Sequence, residues 1–396
     1  MKCVQIGFGK IARIHQDQFE SHGVHTVGVV DIDPNQLREI AASGLRAFGS
    51  LPEAIACKPD FYDICTPGHA RVEVLRVLSA LDPQANILIE KPICDFKDIQ
   101  SIQDILQDHL GRIAVNENYA SSNVTVAVRN EIAARGIPPA RLIIESTKHR
   151  GTDNLNGRYL DTQLGALGYE GTHLLAIVGE FGSGYQFDKL LDSDIDNIQL
   201  DVANANQGDN DQPSIVGRRY KRSLSHQGGA FMQYKAHNGC IVDLYTSMSG
   251  IIGFPCPPHA YPEQRIPQSD THTRYRIVRV DGVDAEGIPH QIVGFYEPIA
   301  GFERSQAQVL IFQNWILQDQ LALFEDNTMS QHLFRIVRYF GGFEQNPYGV
   351  ARALADVTSL HEWSQTCWYD MEDSDEFLGR EDVADARLQD ARRFQL

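Results

Sequence analysis

The sequence predicts an α/β protein: an N-terminal doubly wound parallel sheet, followed by a C-terminal α+β domain built on a large, mostly antiparallel sheet. Three observations carry this expectation. Short apolar runs alternate with helical patterns through the first third of the chain. Two closely spaced glycines follow the first of those runs directly. The remaining two thirds hold successive strand-like runs separated by hairpin-like turns.

The runs Cys3 to Ile6, His25 to Val30, Phe61 to Ile64, Ile87 to Ile89 and Ile113 to Val115 have the continuous apolar character of buried parallel strands. Between them, "IARIHQDQFESHG" and "NQLREIAASG" read as helices that end at a glycine. "RVEVLRVLSAL" and "DIQSIQDILQDHLG" repeat leucine and isoleucine at steps of three and four. Beyond the "VNENYASSN" crossover, a helix from Val124 to Gly136 leads into the strand "ARLIIEST". Further strands are expected at Ile198 to Ala203, Gly229 to Ala236, Cys240 to Ser247, Tyr275 to Val280, Gln291 to Tyr296 and Gln308 to Phe312. These readings give domains at 1–118 and 119–368 and a charged tail at 369–396, with "DVANANQGDNDQPS" as a surface loop.

Composition narrows the function classes. The 396 residues are 42% hydrophobic and 22% charged, which suits a folded protein with more than one core. A net charge of −17 repels polyanions, and the short basic run "GRRYKR" reads as a solvated strand or loop, so no nucleic-acid partner is expected. No apolar stretch approaches the roughly 18 residues of a membrane span, and the N-terminus has no signal-peptide pattern, so the expected location is the cytoplasm without a membrane partner. Seven cysteines form no CxxC pair, and His226, His237, His259 and His272 show no ligand spacing, so neither a disulfide framework nor a metal site is expected.

Gly7, Gly9 and Ala12 form G-x-G-x-x-A between a strand and a helix, with Lys10 and Ile11 inside the same turn. In that setting the motif is a dinucleotide-binding fingerprint: one glycine for the turn, one for close approach of a pyrophosphate, and a small residue for helix–sheet packing. Asp31 ends the second strand about 20 residues further on, where a carboxylate accepts hydrogen bonds from ribose hydroxyls. It would repel a 2′-phosphate, and no arginine follows it in "DIDP", so NAD is expected over NADP. Two more loops leave strand ends at the ligand-binding edge: "CTPGHA", with Thr66, Pro67 and His69, and "EKP", with Glu90, Lys91 and Pro92.

This succession, with "LGALGYEGTH" and the closing "MSQHLFRIVRYFGGFEQNPYGVARALADVTSLHEWSQT", resembles the Gfo/Idh/MocA oxidoreductases as far as Trp368. The resemblance implies a Rossmann domain, a nicotinamide cofactor and hydride transfer at the hydroxyl or keto carbon of a sugar, cyclitol or related polyol. It further implies that Lys91 reaches the reacting oxygen and that His173 exchanges a proton with it. A histidine near neutral pKa and a lysine ammonium suit those tasks. One departure stands out: the family's aspartate before the histidine is Tyr169 here, and its later aspartate is Ala176. Tyr169 is therefore an alternative acid/base. Tyr119, Arg150, Asn156 and Arg158, with Lys91, Tyr169 and His173, are the expected substrate-binding residues. The resemblance also implies a homodimer or homotetramer. An imine or double-bond reductase, a self-recycling NAD enzyme and a non-catalytic NAD sensor remain as alternatives.

Overall fold

The structure is a computed structural model that describes residues 1–148, 164, 166–185, 197–201, 229–236, 238–248, 250, 252–254, 256, 274–296, 306–322 and 324–373. By its contacts the chain divides into one unit of Met1–Asn123, Leu175–Ile177 and Asp326–Ser359, and a second of Val124–Leu174, Val178–Glu325 and Leu360–Leu396.

The first unit alternates strand and helix: β1 (Lys2–Ile6), α1 (Lys10–Ser21), β2 (His25–Val30), α2 (Pro34–Ala42), β3 (Ala47–Phe48), α3 (Leu51–Ile55), β4 (Phe61–Ile64), α4 (Gly68–Leu81), β5 (Ile87–Glu90), α5 (Ile99–Gln107) and β6 (Ile113–Asn116). The strands run parallel in the order β3-β2-β1-β4-β5-β6, so the winding reverses between β1 and β4. At such a reversal the loops after two neighbouring strands part in opposite directions and leave a crevice. The two-residue β3 is too short to carry a periodic signal, and the sequence does not announce it.

Side-chain alternation divides the sheet cleanly. Val4, Ile6, Tyr62, Ile64, Ile87, Ile89 and Val115 point to one face, against Leu75 and Leu78 of α4 and Ile102 of α5. Cys3, Phe61, Leu88 and Ala114 point to the other, against Phe19 of α1 and Leu333, Ile336 and Phe340 of the helix Thr328–Phe340. That helix lies in the expected second domain by sequence position, yet Asp326–Ser359 belong to the first unit. A parallel sheet must cover both faces, and α1 alone leaves part of this one bare. Each buried leucine, isoleucine or phenylalanine contributes about 1.5–3 kcal/mol. The return is also pinned by Asp326, whose carboxylate accepts the Ser122 hydroxyl at 2.6 Å and the Asn123 N–H at 2.8 Å.

In the second unit, β7 (Pro139–Lys148) is central. The other strands are β8 (Asn197–Asp201), β9 (Gly229–Lys235), β10 (Ile241–Ser247), β11 (Arg274–Val283), β12 (Pro289–Phe295), β13 (Gln306–Gln313), β14 (Ile316–Gln320) and β15 (Phe324–Glu325). Their order is β14-β13-β12-β11-β7-β10-β9-β8, with β15 on β13, and among the described strands only β7 and β10 pair in parallel. The helix α6 (Asn123–Arg135) lies on this sheet where Gly294 makes room: a Cβ there would come within 2.5 Å of Val124 Cγ1 and 2.8 Å of Val128 Cγ2.

One strand escapes the sequence reading, and one boundary changes. The strand β14 is a polar edge strand, "ILQDQ", whose weak apolar pattern hides it in the sequence. The expected strand to Ala203 is described only to Asp201. The closing helix Val350–Asp373 runs through the expected tail boundary at Trp368, because nothing in "CWYDMED" breaks a helix. The rest of the tail and most of the acidic loop fall outside the described residues. Among the described residues, no helix is long and apolar enough to cross a membrane.

Candidate functional site

In the first unit the site begins at the end of β1. Gly7 has φ +84°, and its N–H donates to the Val30 carbonyl at 2.8 Å. A Cβ at Gly7 would meet Thr66 Cγ2 at 3.0 Å and the Thr66 nitrogen at 3.2 Å, so glycine serves both the turn and the approach of the loop after β4. Gly9 differs. Its φ is −76°, open to any residue, and nothing lies within 4 Å of its would-be Cβ. It caps α1 without a side-chain hydrogen bond, and the first turn holds no acid, so the helix presents its free N–H groups into open space. Ala12 is fully buried and Lys10 exposed. Across the crevice, the Thr66 hydroxyl is buried and has no partner among the described residues. Pro67 and His69 are exposed beside it, and α4 also lacks a side-chain cap.

Asp31 closes the other side of this turn. Its Oδ2 accepts the Phe8 N–H at 2.8 Å and its Oδ1 accepts the Asp33 N–H at 2.9 Å. The cap of α2 is Asp33, which accepts from the Asn35 N–H at 2.8 Å. Asp31 therefore fastens the end of β2 to the glycine turn, and each oxygen keeps a lone pair for a hydroxyl. Arg13 stacks over the Phe8 ring at 4.6 Å, but its guanidinium is held by Glu39 at 2.9 Å. An uncapped helix start, an orphaned hydroxyl and a carboxylate at the end of β2 fit a dinucleotide's pyrophosphate and ribose.

At the ends of β5 and β6 lies a buried polar cluster. Glu90 is 6% exposed and leads directly into Lys91 and Pro92, joined by a cis peptide. His15 of α1, fully buried, has Nδ1 at 3.0 Å from Asp63 Oδ2 and Nε2 at 3.0 Å from Glu90 Oε1. Asn116 also donates to Glu90, and Cys65 donates to Asp63 at 3.4 Å. His15, Asp63 and Cys65 bring their donor atoms within 4.8 Å of one another. Burial, with Asp63 nearby, pushes the Cys65 thiol well above its usual value, which keeps it protonated.

In the second unit, Tyr169 and Gly171 lie in a π turn, Leu167–Gly171, that opens into the helix Thr172–Tyr185 carrying His173. A Cβ at Gly171 would sit 2.5 Å from Leu360 Cδ2, so glycine lets the turn approach the closing helix. Glu170 accepts the Ser146 hydroxyl at 2.8 Å and Arg276 at 2.7 Å, and is committed to the sheet. It is thus no replacement for the missing aspartate. Tyr169 is buried against Ala166 and Met248, and Tyr169 and His173 are each 8% exposed.

Residues 1–117 match the oxidoreductase family with the NAD-binding Rossmann fold, Gfo/Idh/MocA. This part of the chain belongs to that family. No curated protein matches the chain in sequence. Among solved structures, it is similar to UDP-N-acetylglucosamine 3-dehydrogenase from Acidithiobacillus ferrooxidans (14% identity, 94% of this chain and 99% of that one, TM-score 0.61). It is also similar to an Agrobacterium radiobacter oxidoreductase in complex with NAD+, L-tartaric acid and magnesium (15%, 93% and 96%, 0.60). A third is Synechocystis biliverdin reductase in complex with biliverdin and NADP+ (11%, 93% and 99%, 0.61). At these identities the likeness is one of fold.

Within the Gfo/Idh/MocA domain, Gly7, Gly9, Lys10, Ile11, Ala12 and Asp31 gather at the end of β1, with Thr66 across the crevice. Tyr119 is buried in the turn Asn118–Ser121 after β6. Arg150, Asn156 and Arg158 lie outside the described residues. The sequence reading passed over Gln5, His15, Asp63 and Asn116. Three of them carried a signal: "VQI", "YDI" and "AVN" each set a polar residue near the end of an apolar strand, whereas His15 lies on a helix.

Proposed function

We propose that the chain is an NAD-dependent oxidoreductase that transfers a hydride between the nicotinamide and a hydroxyl or keto carbon of a sugar, cyclitol or related polyol. The observation that carries this reading is Tyr169-x-Gly171-x-His173 in a buried turn, on a chain whose Rossmann unit ends β5 with Glu90-Lys91-Pro92. The bound nicotinamide supplies or accepts the hydride. His173 takes the proton as an alcohol is oxidised, and the Lys91 ammonium stabilises the oxygen on which charge develops. Tyr169, neutral where the family has a carboxylate, orients His173 or a substrate hydroxyl.

The replacement of that carboxylate, together with the biliverdin reductase likeness, supports a second reading in which the same site reduces a double bond or an imine. One experiment separates the two. Purified protein is tested for bound nucleotide, and absorbance at 340 nm is followed with NAD+ and a panel of polyols, then with NADH and conjugated imines or enones. Turnover of a polyol supports the first reading; turnover of only the second set sinks it.

Asp31 gives the cofactor prediction. NAD(H) is expected to bind at least about tenfold tighter than NADP(H), because the carboxylate repels a 2′-phosphate. Asp31→Ser should narrow that gap in a fluorescence titration. Equal binding of both cofactors by the unmutated protein would remove the argument.

A further inference from the structure

Four adjacent strands of the parallel sheet each place one buried polar side chain on the same face near their carboxyl ends: Gln5 of β1, Asp63 of β4, Glu90 of β5 and Asn116 of β6. His15 sits on this row. Two carboxylates taken this far from water are strongly disfavoured unless they are compensated. The imidazole between them, with both nitrogens 3.0 Å from a carboxylate oxygen, compensates both at once. It can donate from both nitrogens only as the cation. Gln5 adds a donor to Asp63 at 3.0 Å, and Asn116 one to Glu90.

The elements tied together are those that carry the candidate site. His15 is three residues beyond Ala12, Asp63 is three before Thr66, and Glu90 immediately precedes Lys91. We propose that His15 is a positioning residue, an imidazolium that bridges Asp63 and Glu90 and so fixes the Thr66 and Lys91 loops against α1. The inference rests on the reading of Lys91 as the group that stabilises the substrate oxygen.

The groups facing His15 are Asp63 and Cys65 from β4 and its end, and Glu90 from β5. Arg71 of α4 acts on Glu90, and Cys3 of β1 lies near Asp63. Burial alone would lower the pKa of His15, but Asp63, by charge and by hydrogen bonding, carries it well above the usual value. Burial would likewise raise that of Glu90, yet the hydrogen bond and charge of His15, with Asn116 and Arg71, bring it below the ordinary carboxylate value. A histidine whose folded pKa is raised contributes stability fully below the unfolded value near 6.5, and that contribution is lost as pH rises through the folded value.

The test uses full-length protein labelled with 15N-histidine. At pH 8 one histidine should show both ring nitrogens protonated, and His15→Gln should remove that signal. Should His15→Gln fail to fold, Glu90→Gln should shift the same signal and lower the pH at which it titrates. A neutral His15 at pH 8, with Asn116, 2.9 Å from Nε2, donating to it instead, overturns the proposal. So does stoichiometric zinc that is lost in His15→Gln. With the polyol identified by the panel, His15→Gln should lower kcat by about tenfold or more and leave the KM for the polyol within about threefold. An unchanged kcat overturns the positioning role. Failure of the unmutated protein to bind NADH or to turn over any polyol would instead sink the reading of the site, while the nitrogen spectrum still decides the charge on His15.

Discussion

Lys91→Ala is expected to lower turnover by about a hundredfold or more while NAD affinity stays within a few-fold. In the proposed reaction the ammonium meets charge that develops on the substrate oxygen only as hydride transfer proceeds, and such interactions act on kcat more than on binding. In the same reading the adenosine half is held elsewhere, by the glycine turn and Asp31. His173→Ala should cost a similar factor, since it removes the general base. Tyr169→Phe then assigns the proton. A few-fold loss fits a phenol that orients its neighbour, and a collapse equal to that of His173→Ala makes the phenol a co-equal participant. Activity that survives His173→Ala and dies with Tyr169→Phe moves the proton role to the tyrosine. Steady-state kinetics beside an NADH fluorescence titration read all three variants.

Gly9→Ala is expected to leave the melting temperature nearly unchanged and to weaken NAD(H) binding by tenfold or more. Its backbone at φ −76° suits alanine, and nothing occupies the space a Cβ would enter, so the folded protein has little reason to object. The methyl group would instead stand where a pyrophosphate approaches the start of α1. Gly7→Ala makes the contrast. At φ +84°, with Thr66 Cγ2 3.0 Å from the new carbon, it should cost about 1–2 kcal/mol of stability through left-handed backbone strain and crowd the loop after β4 as well. Thermal melts and cofactor titrations on the two variants separate a glycine kept for its ligand from one kept for its fold. Equal loss of stability in both would remove the distinction.

Much of the first unit was legible because its signals are local. A buried parallel strand must be apolar along its length, a glycine turn must follow β1 directly, and each helix declares its buried face within a few turns. The carboxylate at the end of β2 could be found by counting from the glycines. The role of Asp31 in fastening the glycine turn through the Phe8 N–H could not, because that bond joins residues far apart in sequence. The short β3, the polar edge strand β14 and the polar row beneath the site escaped for related reasons. Two residues carry no period, an edge strand facing water needs no apolar pattern, and single polar residues in apolar strands gain meaning only when their neighbours are known.

The sequence by itself determined the class of fold and the dinucleotide turn with its acidic partner, since both are written in residue type and short-range spacing, whereas the chemistry proposed for Lys91, Tyr169 and His173 rests on the family resemblance. The tertiary structure decided which distant segments complete those features. Leu333, Ile336 and Phe340 return from the far end of the chain to cover the sheet face of Cys3, Phe61 and Leu88, because that apolar face must be taken from water by whatever helix can reach it. Glu170 belongs to the sheet through Ser146 and Arg276, and His15 belongs to Asp63 and Glu90. A buried charge is tolerated only beside its counter-charge, and which residues become those partners is fixed by the packing of elements that the chain keeps far apart.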